Sequence, residues 1–295
     1  MLTPVQANRR LPLPPDYLVQ LGAALYRGCK NAQSRLLAML EAYFDESHGT
    51  PESAYAVAGF VAPAEVWTAF DVAWRRVMEQ EDLEFFHMSE FESRHGPYRD
   101  WSNDRRHRVL GQLIDIMVQH PILGIGSWIL RTEFKDAISQ LPARHPYRNP
   151  YLISLQACLE RIPEAVQQGA LPDEPVSLFV ELNPRQQAPK HFDRLRRVFS
   201  WHERFPSLVF HDKHLAPLQA ADLYAYECYK QIQRERDGHG GPSRWPLRML
   251  GKASQSRFIS RVRFMDTAGL SRMLAHVVER LEHFNATQAG RNGRV

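Results

Sequence analysis

The chain has 295 residues, 44% hydrophobic and 24% charged, with a net charge of +4. That balance excludes a wholly disordered chain and a fibrous repeat, and no apolar run reaches the ~18 residues that a membrane helix needs. Cys29, Cys158 and Cys228 have no paired spacing, which argues against a disulfide scaffold or a zinc ribbon and fits a reducing cytoplasm.

Residues 1–36 read as an appendage, with LPLPP extended and 17–25 able to form a short helix. LEAYFD (40–45) and AYAVAGFV (54–61) read as apolar strands. The turn residues between them predict a hairpin-like pair. Pro63 marks a helix start, and Val66, Phe70, Trp74 and Val77 recur at helical spacing. Trp67, Phe70 and Trp74 are therefore assigned to the core. LEFFHMSEF reads as a short strand or turn. Ser102 caps a helix over 103–119, with Val109, Leu113, Ile116 and Met117 on one face. ILGIGSWIL is a buried strand, 150–167 a helix, VSLFVEL a strand buried on both faces and 190–204 a basic helix. SLVFHD is a strand. Pro217 opens the helix LQAADLYAYECYKQI, and 266–285 is an amphipathic helix. Alternating strands and helices predict α/β architecture.

Three acids sit where packing alone does not put them. Asp45, beside Glu46, ends an apolar strand, Glu181 follows LFV in another, and Asp222 lies on a helix beside Ala225, Tyr226 and Tyr229. A buried carboxylate must be paired, protonated or bound to a cation. Acids from two strand ends and a helix can converge on one point, which suits Mg2+ or Mn2+. Such ions can activate water for phosphodiester cleavage. Taken singly, each acid also has an ordinary reading as a turn residue, a helix cap or a solvent-facing strand residue.

FDESHG (44–49), YAVAGFV (55–61), EFFHMSEF (84–91) and LQAADLYAYE (218–227) resemble the signature blocks of the domain of unknown function 3800 family. The likeness runs from about Leu37 to Lys230. It implies a ribonuclease H-like fold, a mixed central sheet flanked by helices with helical additions at both ends, and residues 37–285 as one domain before a flexible tail at 286–295. It also implies Asp45, Glu181 and Asp222 as the metal acids, with Glu46 a possible fourth. The sequence departs from the family at His48, which precedes Gly49, and at Glu90, where Asp is common. His48 bears on the pose of Glu46.

Other residues carry two readings each. His87 could shuttle a proton or hold a phosphate, or be a half-buried histidine bonded to the backbone. Ser47 could touch phosphate but suits a cap better. Gln219 could bind substrate or a backbone group. His211 and His214 straddle a strand end and do not form a zinc motif, whereas Asp212 and Lys213 suit the rim of a cleft. The glycines at 238, 240 and 241 lack the context of a phosphate loop. Residues 234–263 hold eight Arg or Lys, including Arg244 and Arg248, around Trp245. With Arg194, Arg196 and Arg197 they could cradle a nucleic-acid backbone, or form a solvated loop. The expectation is a metal-dependent nuclease acting on DNA or RNA. The alternatives are a non-catalytic nucleic-acid or protein-binding module in a defence or mobile-element system, and a hydrolase of small phosphorylated molecules.

Overall fold

The computed structural model describes residues 40–50, 53–139, 141–142, 145–181, 204–211, 213–239, 242–253 and 259–292. Strand β1 (Leu40–His48) pairs antiparallel with β2 (Ala54–Pro63), and β2 pairs antiparallel with β3 (Leu123–Leu130). On its other side β1 runs parallel to β4 (Val176–Glu181), and β4 runs parallel to β5 (Ser207–His211). A sixth strand, β6 (Ile259–Met265), lies parallel to β3. The mixed sheet has the order β5-β4-β1-β2-β3-β6.

Helices cover both faces, and the strand alternation decides which residues face which layer. From β1, Leu40, Ala42 and Phe44 join a core with α5 (Pro150–Gln167). Tyr43 points the other way, into a core with α1 (Ala64–Gln80), α3 (Asn103–Gln119) and α6 (Ala216–Arg236). Trp67, Phe70 and Trp74 are buried in that second core, as their spacing predicted. The shorter helices are α2 (Met88–Ser93), α4 (Arg131–Ala137) and α7 (Trp245–Ala253). Helix α8 (Thr267–Asn292) seats Leu270 and Leu274 in the first core.

Several boundaries differ from the sequence reading. Strand β1 continues to His48, so Asp45, Glu46 and Ser47 lie inside it. LEFFHMSEF contains no strand, because α2 begins at Met88. The basic stretch after α6 is not simply a loop, since it supplies α7 and β6. Helix α8 runs to Asn292, into the stretch expected to be a tail. Residues 1–36, the basic helix with Arg194, Arg196 and Arg197, and Asp212 lie outside the described residues.

Candidate active site

Strands β1, β4 and β5 are mutually parallel, so their C-terminal ends share one edge of the sheet. In open α/β sheets that edge is where ligands bind. Phe44 pairs with Val180, so Asp45 and Glu181 follow side by side. Both continue the alternation of Tyr43 and Phe179, which puts them on the α6 face. Asp222 comes to the same place from the second turn of α6.

The three acids surround one ammonium. Lys213 Nζ lies 3.7 Å from Asp45 Oδ2, 3.5 Å from Glu181 Oε2 and 3.6 Å from Asp222 Oδ1. Asp45 is 3% exposed and Asp222 5%, whereas the Glu181 side chain is 30% exposed, so the cluster opens to solvent on the Glu181 side. Burial pushes the Asp45 carboxyl well above its ordinary range; Lys213 opposes that rise, and Asp222 and Glu181 add to it. Burial also works against the charge on Lys213, but Asp222, Asp45 and Glu181 outweigh it and raise its pKa. One ammonium cannot neutralise three carboxylates. The remaining negative charge calls for a proton or further positive charge.

Main-chain and amide contacts fix the cluster. Asp45 Oδ1 accepts the Glu46 N–H at 2.7 Å, and Asp222 Oδ2 accepts the Met88 N–H at 2.7 Å. One turn before Asp222, Gln219 accepts from Trp74 Nε1 at 2.8 Å and from the Phe86 N–H at 2.9 Å. It donates to the Lys213 carbonyl at 2.9 Å. These bonds settle the choice for Gln219. It is 2% exposed and committed to the protein, so it acts as a clamp that holds the Lys213 turn rather than as a substrate-binding group.

Glu46 does not join the acids as a fourth ligand. Neighbouring strand residues face opposite ways, and Glu46 accepts a hydrogen bond from Tyr55 on the other face, with His48 Nε2 4.0 Å away. Ser47 is not a helix cap either, since it lies in β1 opposite Ala56. The His87 ring meets Ser89 at 3.2 Å and Glu90 at 3.4 Å, while its neighbour Met88 makes the bond to Asp222. Arg244 is occupied by Glu227 and Glu92, at 3.0 and 2.6 Å, rather than directed at the acids. Arg248 donates to the Ser243 carbonyl.

Sequence reasoning put Lys213 on a rim, whereas it stands at the centre. His211, weighed with His214 as a zinc pair and set aside, is the last residue of a strand parallel to β4. His211 pairs with Glu181 and alternates with Val209, which packs toward the α6 face.

Oxygen-only donors from three carboxylates suit a hard divalent ion. As they stand, however, the acids are arranged around Lys213. Among the described residues no group of three or more His, Cys, Asp or Glu is gathered to hold a metal. Asp45, Glu181 and Asp222 are the residues that would hold such an ion, in competition with the Lys213 ammonium. Among the described residues no helix is long and apolar enough to cross a membrane. No family model, curated protein or solved structure matches the chain.

Proposed function

We propose that the carboxylate cluster is the hydrolytic centre of a divalent-metal-dependent nuclease of ribonuclease H-like type, related to the domain of unknown function 3800 family. The observation that carries this reading is the convergence of Asp45, Glu181 and Asp222, drawn from three distant stretches, on one point within 4 Å of each carboxylate. The sheet supports it. An antiparallel β1–β2–β3 run with β4 and β5 added in parallel beside β1 agrees with a ribonuclease H-like strand plan.

Asp45, Glu181 and Asp222 would hold Mg2+ or Mn2+, which would supply Lewis acidity and an activated water. The chain's own groups do the rest. The Met88 N–H orients Asp222, the Glu46 N–H orients Asp45, and the open side at Glu181 admits a phosphodiester. The Lys213 ammonium beside the acids would add a positive charge that favours a bound phosphate. His87 precedes Met88, whose N–H bonds Asp222, and would be the chain's own group for transferring a proton.

The test is cleavage of labelled single- and double-stranded DNA and RNA with Mg2+, Mn2+ or a chelator. Metal-dependent products are expected from the wild type, with a loss of at least ~100-fold in Asp45→Asn and Asp222→Asn. Normal cleavage by both folded variants would end the assignment.

A second reading is favoured by one specific contact set. If Lys213 is the permanent partner of the three acids, the fold serves as a non-catalytic binding module. Its signature would be nucleic-acid binding without cleavage and without any effect of divalent ions on stability.

A further inference from the structure

A groove of about 620 Å3 borders α2, lined among others by Glu92, Arg106, Arg234, Arg244, Trp245 and Arg248. Its cations are of two kinds. Arg244 is held by Glu92 and by the fully buried Glu227. Arg106 donates to the Phe91 carbonyl at 2.9 Å and lies 3.4 Å from Glu92. Arg234 and Arg248 have no carboxylate partner among the described residues. Four guanidiniums thus meet two carboxylates, Glu92 and Glu227, and the surplus of positive charge sits on the two arginines without a carboxylate partner among the described residues.

Guanidinium forks match phosphate oxygens in pairs. The Trp245 indole, stacked on His107 with centroids 5.0 Å apart and planes 15° apart, borders the same groove. Cations alone would suit any polyanion; cations next to a stacking surface suit a phosphate and its base. The position along α6 agrees. Glu227, which anchors Arg244, is five residues after Asp222, a rise of about 7.5 Å, and Arg234 is twelve after it, about 18 Å. The groove and the acids therefore both adjoin α6.

We propose that this groove binds the sugar–phosphate backbone of a nucleic-acid strand, with a phosphate between Arg234 and Arg248 and a base against Trp245. The proposal rests on the nucleic-acid reading above. The test is the anisotropy of a short labelled single-stranded oligonucleotide titrated with the full chain in chelator, across a salt series. The variants are Arg234→Gln, Arg248→Gln and the double change, with circular dichroism to check folding. The double variant should bind about tenfold or more weakly at low salt, with a log–log salt slope shallower by about one to two. Wild-type binding that persists unchanged in the double variant overturns the groove and leaves the nucleic-acid reading standing. No binding by the wild type at any salt overturns both. An oligoglutamate peptide of equal charge that binds as tightly, through the same arginines, overturns the choice of occupant.

Discussion

Lys213 and Glu41 show how burial turns single charges into measurable energies. Removing Lys213 leaves Asp45, Glu181 and Asp222 without their shared ammonium. Breaking such a buried pairing costs about 3–5 kcal/mol, so Lys213→Ala should melt well below the wild type. Under the metal reading, Mg2+ or Mn2+ restores much of that loss by binding only the folded state. Thermal melts with and without the ions decide it, since absence of rescue rules out a divalent site among these acids. Glu41 is 4% exposed, and its carboxyl is pushed up to about 7 by burial, partly offset by the Tyr43 hydroxyl that donates to it at 2.8 Å. The folded state therefore binds more protons than the unfolded chain, whose carboxyl titrates near 4.5. The associated stability is fully present below pH ~4.5 and is lost as pH rises through about 7. Glu41→Gln should then be more stable than the wild type above that range, by up to about 3 kcal/mol, and urea unfolding across pH reads the difference.

At the scale of elements, the contact between β1 and β2 just before Asp45 is the sensitive one. A Cβ added at Gly59 would meet the Tyr43 carbonyl oxygen and come within 2.8 Å of Phe44 Cα. Gly59→Ala must push the two strands apart at the residue that precedes the acid. Overpacking of this kind costs about 1–3 kcal/mol, and an unchanged urea midpoint would count against so close an approach. The elements that could be read in advance were those with strong apolar periodicity or a clear apolar run: the β1–β2 hairpin, α1, α3, β3, α5, β4, β5, α6 and α8. Strand β6 went unread although Val262 and Phe264 alternate with Arg261 and Arg263, because the arginines drew attention to charge rather than to period. Helix α4 buries only Phe134, too little to make a pattern. In the site, Asp45, Glu181 and Asp222 were visible because each carboxylate interrupts apolar neighbours. The centrality of Lys213 was not, since a turn residue carries no periodic signal and its partners lie far along the chain. The same holds for Gln219, whose three bonds join a helix, a turn and a loop.

Across the whole molecule, the sheet has a core on each face, and the two cores share the same strands. Tyr43 and Phe44 are neighbours in β1 yet belong to opposite layers. Neither core can come apart while the other keeps the strands in place. Trp67 and Trp74 report on one layer, and the buried thiol of Cys158 reports on the other. Denaturant curves followed by tryptophan fluorescence and by thiol labelling of Cys158, in a chain with Cys29 and Cys228 replaced by serine, should therefore coincide. Separate midpoints would mean that one layer melts first and that the sheet does not join them.

The short helix α2 is fastened at both ends. The Met88 N–H holds Asp222, and Glu92 holds Arg244. The helix thus touches both the acid cluster and the arginine groove. If the acids hold an ion and the arginines an anion, any coupling between them is reciprocal. Whatever an ion among the acids does to the grip of the arginines on an anion, that anion must do in equal measure to the grip of the acids on the ion.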